Sequence, residues 1–480
     1  MAPPQHVLTS GETAAIWSLG ATELGRAYRA RELSPVEALE AIIARCELVN
    51  PQLNAIVTFD LEGAREAARA SEARWGTGNA LGALDGVPLT VKDNIPVRGL
   101  RTTWGSRILA DYVPSQDELP VARLRAKGAV IVGKTNVPEF TLQGYTDNDL
   151  FGTTRNPWDV RLTPGGSSGG AVAAVAAGLG PLALGTDGGG SIRRPAAHAG
   201  LVGLKPSTGR VARTNGLPVI LHDFEVIGPM ARTTADAALL FSAIAGSHPH
   251  DRASLAFAVV PRVIEAEPTE LKILYVERFA GSPVDPEIAS HVAEAARQLE
   301  ALGHRVEEGE APFDIAAVDR IWAVAGPAGL AWFLRDKPGW RDVVRDSLRQ
   351  VAEQGAALAA TDYVEALNRV TALRAELADG FTRFDVILTP SFAALPWTAD
   401  VTHPESIDGK SVGPRGHAVF TAFANAGGLP GISVPCRASQ TGLPIGIQLV
   451  GPYGADELLL SLAGQFERAH PWADRWPSIG

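Results

Sequence analysis

The sequence predicts an α/β protein with a mixed, mostly covered β-sheet. Three observations point there. Short apolar runs of strand length alternate with amphipathic runs of helix length along the whole chain. The run "GAVIVGKTN" (128–136) is apolar at successive positions, as in a strand buried on both faces. Composition is that of an ordinary globular protein, 46% hydrophobic and 20% charged.

The elements follow in order. "LSPVEALEAIIARC" (33–46) reads as a helix with Ser34 as N-cap, Pro35 in the first turn and Glu37 closing a capping box. "LDGVPLTVKDN" (84–94) alternates like a strand ending in polar residues, and 128–136 is a second strand. Residues 168–180 form a helix of small residues, followed by the strand "PLALGT" and a glycine cluster. "LKILYVER" (271–278) is a strand, and 286–304 is an amphipathic helix with Ile288, Val292, Leu299 and Leu302 on one face. Strands at 383–391, 431–436 and 443–451 and a helix at 455–470 complete the series. The polar stretch 246–270 reads equally as a linker or as an insertion loop, so 480 residues leave the domain count open at this level.

Several function classes lose support. The net charge is −10 and no block of five or six Lys/Arg occurs, which argues against a nucleic-acid surface. Cys46 and Cys436 are the only cysteines, without zinc-ligand spacing, which fits a reducing cytoplasm. The N-terminal "MAPPQHVLTSGETAAIW" lacks the charged and apolar regions of a secretory leader, and 169–185 is too short and small-sided to span a membrane. "HPHD" (248–251) reads as a solvated loop rather than a metal site.

Chemistry concentrates at "GTDGGGSIR" (185–193). A phosphate loop would need a lysine after the glycines, and a nucleophile elbow would need G-x-S-x-G; neither is present. Two readings stay open: a tight turn, or an oxyanion hole in which Gly188, Gly189 and Gly190 let backbone N–H groups close on a substrate carbonyl beside Ser191. A serine nucleophile needs a base. Candidates for assisting it are "PGGSSGG" (164–170), with Ser167 and Ser168, and "LTVKDNIP" (89–96), where Lys92 ends an apolar strand.

"GGSSGG", the serine of "GTDGGGSIR" 24 positions after Ser167 and the upstream "VKDN" lysine together resemble the amidase signature family of serine hydrolases. "GAVIVGKTNVPEF", "FGTTRNPWD", "GLVGLKPSTGRV", "IGPMARTTADAALL" and "LPGISVP…GLPIGIQLVG" resemble its further blocks in order. The resemblance covers about residues 20–470 and is weakest around 245–380. It implies one amidase domain over 1–480, a single α/β/α fold on a large mixed sheet, often a homodimer, and no cofactor or metal. It also implies a Ser-cisSer-Lys triad: Ser191 as nucleophile, Ser167 as proton relay, Lys92 as base. The amides of Gly188, Gly189, Gly190 and Ser191 would form the oxyanion hole, with Ser168 shaping the loop beside the substrate. Asp187 and Arg193 are expected to brace the loop, and Asn136 and Glu139 to tie neighbouring loops.

Lysine acts as a base only when neutral, and bringing its pKa from about 10.4 to near 7 takes about 4 to 5 kcal/mol, which burial can supply. Asp93 is adjacent but should face the other side of the strand. The expected activity is hydrolysis of a small carboxamide or N-substituted amide through a Ser191 acyl-enzyme. The alternatives are the glutaminase-type subunit of a tRNA-dependent amidotransferase and a non-catalytic binding protein on the same fold. Against the former, the acidic residue that family uses for glutamine's amino group falls near Ala418 here. Two features bear on the substrate. Many relatives carry a larger residue at Gly188, so the acyl pocket is expected to be roomier or the loop more mobile. Trp322, Trp332, Phe333, Trp340, Phe420 and Phe423 lean the reading towards an aryl or hydrophobic acyl site, with core packing as the competing role.

Overall fold

The computed structural model describes residues 16–257 and 267–479. Most of the N-terminal stretch read for a leader, and residues 258–266 of the polar stretch, lie outside the described residues. The first long helix, Pro35–Leu53, starts as its sequence dictates. The Glu37 N–H donates to Ser34 Oγ at 3.2 Å, and the Ser34 N–H donates to the Glu37 carboxylate at 2.8 Å.

Among the described residues one sheet collects eleven strands: β1 (Ile56–Phe59), β2 (Pro88–Lys92), β3 (Val130–Thr135), β4 (Leu182–Asp187), β5 (Val202–Lys205), β6 (Val226–Ala231), β7 (Lys272–Tyr275), β8 (Arg305–Glu308), β9 (Val386–Pro390), β10 (Gly431–Pro435) and β11 (Gly446–Val450). They lie in the order β1-β3-β2-β4-β6-β5-β10-β11-β9-β7-β8. Strands β3, β2 and β4 pair in parallel, as do β9, β7 and β8. The remaining pairs are antiparallel, so the sheet is mixed as expected.

Every residue of β2, β3 and β4 is buried, in keeping with their near-continuous apolar runs. The helix Gly169–Ala176 covers this region with small residues, all eight buried. A side chain on Gly170 would collide with the backbone of Asn136 and Ala55, so this helix packs as closely as it does because glycine and alanine compose it. Helix Pro286–Ala301 buries Ile288, Val292 and Leu299, the face its periodicity marks.

Four strands escape the sequence pattern. β5 and β6 are interrupted by Gly203, Gly228 and Pro229, which depress strand propensity. β1 is four residues long. β8, "RVEE", has no buried residue and closes one edge with charge. Among the described residues no helix is long and apolar enough to cross a membrane.

Candidate active site

β2 and β4 run side by side in the same direction, so their C-terminal residues arrive together, at the kind of sheet end where α/β proteins bind ligands. Lys92 closes β2, and Thr186 and Asp187 close β4. Ser167 stands in the turn before the helix Gly169–Ala176, and its peptide bond with Gly166 is cis.

Lys92 is fully buried. Its Nζ lies 2.8 Å from Ser167 Oγ, 2.9 Å from Thr186 Oγ1 and 3.1 Å from the Thr186 carbonyl. All three partners are neutral oxygens. Burial lowers its pKa to about 7, against the opposing pull of Glu225 and Asp187. Asp93 points away from it, accepting from the Thr103 N–H and hydroxyl and lying 3.4 Å from Lys134 Nζ.

Asp187 organises the glycine loop. Its carboxylate accepts from the Gly190 N–H at 2.7 Å and the Ile192 N–H at 3.1 Å. Arg193 grips the same carboxylate with Nε at 3.0 Å and Nη2 at 2.9 Å, and both side chains are fully buried. Burial alone would raise the Asp187 carboxyl, but Arg193, Lys205 and Asn425 hold it well below the usual range. Arg193 also donates to the Thr421 carbonyl, Gln448 Oε1 and Asn425 Oδ1. The bracing roles expected of Asp187 and Arg193 are thus visible as bonds. Gly190 sits at φ +117°, where a side chain would also meet Thr421 and Arg194, so glycine is required there.

A cavity of about 450 Å³ opens onto Gly188, Gly189 and Ser191, with Leu221, Trp322 and Leu348 among its other walls. Two residues of the expected substrate-binding set sit behind that wall. The Gly190 N–H is spent on Asp187, and Ser168 is fully buried, its N–H on the Ser191 carbonyl at 3.2 Å and its hydroxyl on the Thr186 carbonyl at 3.2 Å. Of the six aromatic residues named from the sequence, Trp322 alone lines the cavity, stacked on Phe224 at 5.2 Å. Phe420 and Phe423 pack with Phe279 in the core, Phe333 packs between Trp104 and Phe140, Trp340 is buried and Trp332 is exposed. Asn136 and Glu139 tie loops as anticipated, Asn136 to Gly152 and Asn148, Glu139 to Ser106 and the Arg345 N–H.

Sequence reasoning missed Thr186, the second hydroxyl on Lys92, although it stands in the quoted "GTDGGGS". It also missed Arg194, Arg415 and His417, which line the cavity. Burial brings the Arg194 guanidinium down to about 9, helped by the nearby positive charge of Arg415. Among the described residues no group of three or more His, Cys, Asp or Glu is placed to hold a metal ion.

This fold, with a buried lysine against a serine at the sheet end, is that of a hydrolase of amide C–N bonds. The amidase family profile matches residues 37–460, and the chain belongs to the amidase signature family. It is similar to a glutamyl-tRNA(Gln) amidotransferase subunit of Moorella thermoacetica, at 37% identity over 97% of this chain and 99% of that protein. It is equally similar to an acylamidase of Rhodococcus erythropolis, at 37% identity over 96% of this chain and 97% of that one. The solved structure of a bacterial aryl acylamidase of the amidase signature family superposes with a TM-score of 0.88, at 31% identity over 95% of this chain and 97% of that one.

Proposed function

We propose that the chain hydrolyses a small-molecule amide through an acyl-enzyme on Ser191, with Lys92 as base and Ser167 as proton relay. The observation that carries this reading is Lys92 itself. It is a fully buried amine, 2.8 Å from Ser167 Oγ, whose hydrogen-bond partners are neutral oxygens. With a pKa near 7, it is neutral in a large fraction of molecules at neutral pH and able to take a proton.

Lys92 takes the Ser167 proton as Ser167 takes that of Ser191, whose Oγ adds to the amide carbon. The amides of Gly188, Gly189 and Ser191 receive the developing oxyanion. The proton returns through Ser167 to the leaving nitrogen, the C–N bond breaks, and ammonia or an amine departs. Water then adds to the ester, giving the carboxylic acid and free Ser191. The step needs no cofactor. On the same resemblance we take residues 1–480 to act as one domain, in a cytoplasmic homodimer.

The similarity to an amidotransferase component supports a second reading, glutaminase activity within a larger assembly. Ala418 weighs against it, because the cavity wall there is a methyl group where that reading needs an acid. Incubation with a fluorophosphonate followed by intact mass measurement should show one adduct, absent from Ser191→Ala, and the wild-type chain alone should release ammonia or amine from simple amides. An unlabelled chain, or ammonia released from glutamine solely when other amidotransferase components are added, overturns the stand-alone amidase.

A further inference from the structure

The cavity beside Ser191 carries two arginines that no salt bridge neutralises among the described residues. Arg194 is 6% exposed; its Nε donates to the Gly190 carbonyl at 3.3 Å, and among the described residues no carboxylate lies within ion-pair distance of its guanidinium, Asp187 acting on it from beyond that range. Arg415 lines the same cavity and has no ion-pair partner among the described residues either; the acid that acts on it, Asp319, is beyond that range. Glu225, the one acidic residue on the cavity wall among the described residues, is committed to Arg213 at 2.8 Å. The chain has a net charge of −10, yet among the described residues no carboxylate forms a salt bridge with either arginine.

His417 completes the arrangement. It is 2% exposed, stacks on Phe392 at 5.5 Å, and neither ring nitrogen has a hydrogen-bond partner. Arg194 approaches the same Phe392 ring at 5.8 Å. A buried imidazole with both nitrogens free is costly unless a ligand uses them. Burial and the charges of Arg194 and Arg415 keep it in the neutral form, with one donor and one acceptor nitrogen.

We propose that the amide this chain cleaves also carries a carboxylate, held by Arg194 and Arg415 beside His417. A guanidinium fork matches a carboxylate in two parallel hydrogen bonds, which a lysine or a neutral wall cannot offer. The simplest such substrates are half-amides of dicarboxylic acids. This inference rests on the amidase reading for the bond that breaks, but its test does not need turnover.

Binding of succinamate and glutaramate to the Ser191→Ala chain is measured by calorimetry beside butyramide and the methyl ester of succinamate. N-acetyl-β-alanine, with its carboxylate on the amine side, shows which half of the substrate the arginines read. At least one anionic amide should bind tenfold or more tightly than its neutral counterpart. Arg194→Gln in the same background should cut that preference tenfold or more, and Arg194→Lys should restore part of it. Arg415→Gln, at an exposed position, gives the second variant should the buried one misfold, with a smaller loss of preference. Equal or tighter binding of the neutral amides, or a preference unmoved by both Gln substitutions, overturns the inference. Failure of the wild-type chain to hydrolyse any amide would instead overturn the amidase reading, and binding would still report on the arginines.

Discussion

Lys92 and Lys134 sit on adjacent parallel strands, one register step apart, and both are fully buried. Their surroundings make them different chemical groups. Lys92 meets Ser167 and Thr186, neutral oxygens that stabilise its cation weakly. Lys134 lies 3.4 Å from Asp93 and donates to Thr102 Oγ1 at 2.7 Å. Burial pushes both members of the Lys134–Asp93 pair towards neutrality, and their mutual attraction opposes it. Lys92 can lose its proton without stranding a partner; Lys134 cannot. The strand's alternation sorts them, sending Asp93 to the far side from Lys92.

The contrast breaks or sharpens at four points. The largest effect is expected from Lys92→Met, which should lower kcat by about 10³-fold, within the range for removing a general base. With Lys92 intact, kcat/KM should rise with pH through about 7, because the protonated amine cannot accept a proton. A flat profile between pH 5 and 9 would remove Lys92 from the role.

Next comes Asp93→Asn, which leaves Lys134 buried without its carboxylate and should cost about 3 to 5 kcal/mol in urea unfolding. Replacing Lys134 by Met in the same chain should return much of that loss. If the double variant is no more stable than the single, the two side chains are not coupled.

Third, Lys92→Met should behave oppositely in stability. The folded pKa of Lys92 is depressed to about 7, so the wild-type chain bears a penalty that is full below pH 7 and fades as pH rises towards the unfolded value. The Met variant should therefore gain on the order of a few kcal/mol at pH 6 and less at pH 9. A gain that grows with pH would contradict the assigned direction.

Smallest is Gly188→Ala. The added methyl would meet Leu221 Cδ1 at 2.6 Å, the far end of a side chain able to turn aside into the cavity. The kcat/KM ratio of bulky to small acyl groups should fall by about tenfold, the scale of one methylene in a pocket. An unchanged ratio would place the acyl group elsewhere.

How much of this was legible follows from how local each signal is. The capped helix at Ser34, the strands leading to Lys92 and into the glycine cluster, and the two serine–glycine turns are spelled out within a dozen residues each. The choice between a tight turn and an oxyanion hole was not legible locally, and Gly190 shows why. Its amide is taken by a carboxylate three residues upstream, a fact of side-chain direction rather than of composition. The cavity wall was harder still. Trp322 and Leu348 come from helices Ile315–Leu334 and Asp346–Ala357, and Arg415 and His417 from a loop far along the chain, so the wall is assembled by distant packing with no sequence period. Of the aromatic residues read onto that wall Trp322 alone lines it, and Phe420 and Phe423 serve the core.

Gln448 reaches Arg193 Nη1 at 2.6 Å and also holds the Phe420 carbonyl and Thr389. The glycine loop beside Ser191 is therefore locked by a side chain 255 positions downstream of Arg193. A ribosome that has finished Lys92, Ser167 and Ser191 has made every group of the proposed relay but not their clamp. Contacts spanning 255 positions close late, once the last strands are available. Nascent or prematurely terminated chains ending before Gln448 should therefore carry the three groups without amide-cleaving power, so that competence arrives only once Gln448 has been made.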